Sequence, residues 1–284
     1  MAITAIGDVS NQVQKYWAPI MMKQMRQNNV LIDVCSKEYM GDLRVGGDSV
    51  YVSQINAPTG DLLTVGTDAD SFSAEQLSMS RVSITANRRA VAAFEFEDLA
   101  VLLSQLESQE SEIRDSLMYA VSKQINTYLY SLLVPSTSAP DHAIVTTDFN
   151  AANVSGARAL AAAAKWSYAE PWYLMVDSSY MSDILDDVTL SSSEYGASDT
   201  PMIGGQMSLK RFNFNIVEDN SLDTDIGFAL TPSALHLVMA KQPTFQISDL
   251  HAQGKFGYKI SCDCVFGAAL GVDGDERCIK WTAS

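Results

Sequence analysis

Between Val45 and Asp98 the chain reads as a long polar hairpin that hands over directly to a helix. Two alternating runs, Ser49-Val-Tyr-Val-Ser-Gln-Ile-Asn56 and Leu77-Ser-Met-Ser-Arg-Val-Ser-Ile-Thr85, flank a tip studded with Gly and Asp. Short runs of this kind, bounded by turn formers, are the signature of paired strands. A two-stranded ribbon of this length, with so few large apolar side chains, buries too little surface to stand alone. It must lie on something else, and a second copy of the same chain is the economical candidate. That favours a self-assembling protein over a catalyst.

The chain has material enough for a core in one large or two modest domains, with 284 residues of which 47% are hydrophobic. No run approaches the roughly 20 apolar residues of a membrane span. Met1-Ala-Ile-Thr4 has neither the basic nor the apolar segment of a signal peptide, so cytoplasmic synthesis is expected. The formal charge of −15 disfavours direct binding to phosphate backbones. Residues 1–41 carry Lys15, Lys23, Arg26 and Lys37 against Asp8, Asp33 and Glu38, a balance of +1 that leaves −16 elsewhere. A mildly basic arm on an acidic body is suited to clasping a neighbouring subunit.

The arm predicts one amphipathic helix through Val13, Trp17, Ile20, Met21 and Met25, with its regular turn starting near Pro19. Val30 to Val34 reads as a short apolar anchor, and Gly46-Gly47 opens the hairpin. Both hairpin strands change apolar phase: Val50 and Val52 are followed by Ile55, and Leu77 and Met79 by Val82 and Ile84. Such a slip sends side chains to the opposite face, through a bulge or strong twist, unless it is chance in a short pattern. Asp61, Asp68, Asp70 and Glu75 make the tip acidic, with no cation before Arg81. A calcium loop, a salt-bridging tip and a solvated acidic loop all stay open there, although the Gly and terminal Glu of an EF-hand loop are missing. Arg88 and Arg89 at the hairpin base are the complementary charges, able to fix register against an acidic neighbour.

From Asp98 the period becomes 3.6. Leu99, Leu102, Leu103 and Leu106 form one stripe; Ile113, Leu117, Val121, Ile125, Tyr128, Leu129 and Leu132 form a second, closed by Pro135. A helix over 109–134 would be about 39 Å long, with one face on a sheet. Further on, Val154–Lys165 predicts an Ala-rich helix, Trp172–Val176 a buried strand and Asp177–Leu185 a capped helix. A mobile loop is expected over 186–207, and strands over Phe212–Val217, Gly227–Leu230, Phe256–Val265 and Ile279–Trp281; Ala234–Ala240 reads as strand or short helix.

Nothing here marks an active site. The three histidines, His142, His236 and His251, lie in no catalytic motif and read as surface or satisfied core residues. Cys262 and Cys264 alternate on a strand and share a face; with Cys35 and Cys278 they read as buried free thiols, not as ligands of a metal. No cofactor is expected.

The order of parts resembles tailed-bacteriophage major capsid proteins with the HK97 fold, most closely the P22-coat-like group. The similar segments are Trp17-Ala-Pro-Ile-Met-Met-Lys-Gln-Met25, Gly46-Gly47-Asp48-Ser-Val-Tyr-Val52, Phe94-Glu-Phe-Glu-Asp98, Ile203-Gly204-Gly205, Phe212-Asn-Phe-Asn-Ile-Val-Glu-Asp-Asn220 and Phe256-Gly-Tyr-Lys-Ile260. Their order and spacing, over nearly the whole chain, carry the likeness. The resemblance implies an α+β fold with an N-terminal arm (1–42), an E-loop hairpin (43–90) and a P-domain with a long spine helix (91–145). An A-domain with a central mixed sheet (146–240) and C-terminal strands returning to both sheets (241–284) complete it.

The function implied is that of a coat protein forming hexamers and pentamers of an icosahedral head around double-stranded DNA, in the virion, without sequence-specific binding or a membrane. Portal and scaffolding proteins would be its partners, with a decoration protein where one exists. The resemblance implies intersubunit contacts for the E-loop, here Asp61, Asp68, Asp70, Glu75, Arg81, Arg88 and Arg89, and for the arm, here Lys15, Trp17, Lys23 and Arg26. Members that crosslink covalently use an E-loop lysine; this chain has none between Lys37 and Lys123, so noncovalent contacts are expected. The chain starts directly at the arm, which implies a separate scaffold or earlier processing. An encapsulin-type shell is the alternative within the fold, and a soluble α/β enzyme the alternative outside it.

Overall fold

The computed structural model describes residues 26–40, 49–60, 62–63, 74–97, 110–191 and 209–283. The arm helix around Trp17 and the stripe Leu99, Leu102, Leu103 and Leu106 lie outside them.

The hairpin is present. Strand β1 (Ser49–Ile55) pairs antiparallel with β2 (Met79–Thr85) in seven successive pairs, from Ser49 opposite Thr85 to Ile55 opposite Met79. The register is unbroken, so of the explanations left open for the phase change a bulge is not the one found between β1 and β2. The apolar residues change face because both strands change pattern at matching positions. Val50, Val52, Val82 and Ile84 occupy one face near the base, and Ile55 and Met79 oppose each other on the other face farther out.

After Ala86 and Asn87 the chain enters β3 (Arg88–Glu97), an edge of a three-stranded antiparallel sheet of order β3-β10-β9, where β9 is Leu235–Asp249 and β10 is Gly257–Leu270. Across it lies α2 (Glu110–Leu132), about 34 Å long at 1.5 Å per residue. The expected stripe is what it buries: Leu117, Val121, Ile125 and Leu129 pack with Ala90, Ile260, Cys262, Cys264 and Phe266. Period 3.6 thus meets period 2, and each of the four helix side chains contributes roughly 1.5–3 kcal/mol of apolar burial. Helix α1 (Val30–Val34) places Leu31 and Val34 in this same core, as an anchor should.

The second sheet has six strands in the order β4-β11-β8-β5-β7-β6 (Ala143–Val145, Cys278–Thr282, Ile226–Leu230, Trp172–Val176, Phe214–Glu218, Leu209–Arg211). Strand β5 is central, parallel to β7 and antiparallel to β8. Its unbroken apolar run follows from burial on both faces. Trp172, Leu174 and Val176 pack with α3 (Ala151–Ala163) and α4 (Ser178–Asp186), while Met175 belongs to the core built around α2. Both helices are capped by side chains: Asn150 accepts from the amides of Ala152 and Asn153, and Asp177 from those of Ser179 and Tyr180.

Several expectations change. The loop expected over 186–207 begins with a short helix, α5 (Val188–Ser191), because Asp187 accepts from Thr189 N at 2.8 Å and from Ala151 N at 2.7 Å, which seats Leu190 in the core. The strand expected from Phe212 begins at Phe214; Phe212 and Asn213, with φ of 50° and 77°, form the two-residue turn between β6 and β7. Of the two readings for Ala234–Ala240 the strand is the one found, as β9, which continues through a register shift against β10 to Asp249. His142 and His236 are buried, yet both ring nitrogens of His142 and Nδ1 of His236 lack a partner among the described residues. For His142 the backbone is the reason: it accepts from Lys280 N at 2.9 Å and donates to Ser136 O at 2.9 Å, which draws the residue under the sheet edge.

Candidate functional site

The base of the hairpin rests on its own chain. Val52 and Ile84 pack with Val238 of β9, and Tyr39, Val50, Ala86 and Ala269 surround them. Gly267 permits this approach: a Cβ there would lie 2.3 Å from Thr85 O and 2.9 Å from Ala86 Cα. The other face has no such support among the described residues. Ile55 is 62% exposed, Met79 56% and Leu77 73%; Tyr51, four residues back on the same face of β1, is 59% exposed. The cross-strand pair Ile55 and Met79, exposed together, is a candidate interaction surface. Polar bonds hold the ribbon's shape beyond the strands: Asn56 N donates to Ser78 O at 3.0 Å, and Thr59 N to Glu75 Oε2 at 3.0 Å.

The residues expected to make contacts between subunits are found as follows. Glu75 spans the hairpin as just described, and the Arg81 guanidinium lies 5.3 Å from the Tyr51 ring centroid. Arg88 lies over Tyr128 at 5.0 Å, and Arg89 donates to Asp263 Oδ2 through Nε at 3.0 Å and Nη2 at 2.5 Å. These two hairpin-base cations thus have partners in their own chain. Arg26 lies 5.4 Å over Tyr119, whose hydroxyl accepts from Gln27 N at 3.0 Å, so the arm's end follows α2. Asp61, Asp68, Asp70, Lys15, Trp17 and Lys23 lie outside the described residues.

Asp263 escaped the sequence reading. On the central strand β10 it accepts from Lys241 Nζ at 2.7 Å and Thr244 Oγ1 at 3.2 Å as well as from Arg89. Hydrogen bonds from Lys241 and Arg89 hold its carboxyl down at about 2. Two signals were present: an acid between two buried cysteines, and Pro243 within a strand, which marks an edge or bulge. Among the described residues, no group of three or more His, Cys, Asp or Glu side chains is placed to hold a metal ion. Nor is any described helix long and apolar enough to cross a membrane.

No protein-family model matches the sequence, and no curated protein does. Solved structures do match. A chain from Mycobacterium phage Che8 superposes with a TM-score of 0.75 at 17% identity, covering 95% of this chain and 96% of that one. A chain from the capsid of the cyanophage P-SCSP1u gives 0.69 at 15% identity, covering 97% and 94%. A chain from the head of Helicobacter pylori bacteriophage KHP40 gives 0.74 at 11% identity, covering 99% and 98%. At these identities the likeness is one of fold: the chain has the fold of chains that build phage capsids and heads.

Proposed function

We propose that this chain is the major capsid protein of a phage head, in the group of the HK97 fold that resembles the P22 coat and lacks a covalent crosslink. It assembles into hexamers and pentamers of an icosahedral shell around double-stranded DNA. The observation that supports the reading is the outer half of the hairpin, where Ile55, opposite Met79, and Leu77 are exposed among the described residues. A second copy is the surface that would cover them, and the arm, with Lys15, Trp17, Lys23 and Arg26, supplies a further contact. The tip acids Asp61, Asp68 and Asp70 meet cations of a neighbour. Each contact is weak and repeated many times, so the stability of the shell comes from multivalency. The acidic body lets packaged DNA slide along the lining. Portal and scaffolding proteins, and a decoration protein where one exists, are the partners this role requires.

Sedimentation and negative-stain imaging of the purified chain, with and without scaffold, test the reading. Closed shells or capsomers are expected, and a small fixed oligomer under every condition overturns it. Deleting residues 57–76 is expected to leave a folded subunit that assembles poorly; normal, stable heads would remove the bracing role of the hairpin.

A further inference from the structure

The ribbon leaves the subunit at a place where the three-stranded sheet changes register. From Asp263 opposite Thr244 to Phe266 opposite Met239, β10 advances three residues while β9 advances five. The two surplus residues lie on the edge strand, one between Lys241 and Thr244, where Pro243 has no amide to donate, and the other at Ala240. A bulge bends its strand and raises the local twist, so it is a compliant point in a sheet. On the near side of it, Val238 and Ala269 carry the base of the ribbon. On the same β10 segment, Arg88 pairs with Phe266 and Arg89 with Val265, and only Ala86 and Asn87 separate these arginines from β2. The hairpin thus enters the sheet level with the bulge, with Arg88 lying across Phe266 from Met239.

One carboxylate spans this point. Asp263 on β10 takes bonds from Arg89 on β3 and from Lys241 and Thr244, which flank Pro243 on β9. Its side chain is only 7% exposed, although Arg89 is 62% and Lys241 35% exposed, so the carboxylate itself is shielded from water while its cations keep part of their hydration. Glu95 on the same face differs: it pairs with Lys255 at 3.2 Å and Lys259 at 3.6 Å, all three partly or largely exposed, where an ion pair contributes little. We propose that Asp263 is a positioning residue which, by clamping all three strands at the bulge, sets the inclination of the hairpin to the subunit. The purpose of that inclination rests on the shell reading, but the clamp is a property of the single chain.

Spin labels at Ser53→Cys on β1 and Ala159→Cys on α3, both exposed, report the inclination, since the four native cysteines are buried. In the full-length chain a single narrow distance is expected. Asp263→Asn, which replaces an acceptor by a donor facing two cations, is expected to broaden or shift it, while Glu95→Gln leaves it unchanged. Amide exchange read in parallel is expected to rise about tenfold or more at the ribbon base, Val52 and Ile84, with β5 and β8 unaffected. An unaltered distance in Asp263→Asn overturns the proposal, as does equal broadening in Glu95→Gln. Loss of protection in β5 and β8 matching that in the ribbon also overturns it, because the residue is then structural throughout. None of these readouts requires particle formation, so failure of the clamp and failure of the shell reading are told apart.

Discussion

Replacing Ile55 and Met79 together by Ser separates folding from association. Both side chains are already mostly in water in the subunit, at 62% and 56% exposure. Their loss is expected to change subunit stability by no more than about 0.5 kcal/mol per site. Covered by a second copy, each recovers the part of its burial free energy still outstanding. Full burial of such a side chain is worth about 1.5–3 kcal/mol, so the exposed share is about 1–2 kcal/mol each and about 2–4 kcal/mol for the pair. At 1.4 kcal/mol per decade, the concentration needed for assembly rises roughly 30- to 700-fold. The comparison is between variants of one contact, so the large entropic cost of association cancels to first order. Thermal melting of dissociated subunits and sedimentation across a concentration series measure the two quantities. The opposite pattern is expected at the base, where the fully buried Ile84→Ala costs the subunit about 2–5 kcal/mol. If Ile55→Ser/Met79→Ser assembles at the wild-type concentration, or if its subunit melts like Ile84→Ala, the outer face is not a docking surface.

Three further expectations concern the fold. Burial lowers the affinity of His236 for a proton, so the unfolded chain binds more protons than the folded one just below the ordinary imidazole value of 6.5. Stability is therefore full above that value and falls as pH drops through it; in His236→Gln this slope in denaturant midpoint against pH should disappear. Asn150→Ala removes the cap bonds to Ala152 N and Asn153 N and should cost about 0.5–2 kcal/mol, visible as a lower melting temperature without change of fold. Burial pushes the thiols of Cys35 and Cys278 up to about 11 and about 12, so the native chain should resist alkylation at neutral pH and react at all four cysteines only in denaturant. Fast labelling of the native chain would contradict the buried placement.

Much of the fold was legible because its elements carry strong local patterns. The second leucine-rich stripe on α2, the apolar run of β5 and the caps at Asn150 and Asp177 each follow from side chains within one element. The hairpin was legible as two strands, and so was its change of face; the cause was not. One sequence shows that each strand changes phase, but only the pairing of Ile55 with Met79 shows that both change together, so that no bulge is needed. The real bulge lies in β9, where Pro243 was the available sign. The turn at Phe212 and Asn213 went unread because a bulky residue at positive φ contradicts its local preference.

The site divides along the same line. An ordered series of arm, hairpin, helix and returning strands, a ribbon too polar to hold itself up, and the absence of a hairpin lysine are all properties of the chain read in one dimension. Which face of the ribbon is covered and which is left bare depends on Val238, about 150 residues away, and on the missing side chain of Gly267. The fate of the arginines was likewise decided in space: Arg89 meets Asp263, 174 positions along the chain, on the neighbouring strand. Local sequence sets the period and polarity of an element because those act between residues a few positions apart. The partner of a charge, and the face of a ribbon that stays in water, are set by contacts that exist only once distant strands have been brought side by side.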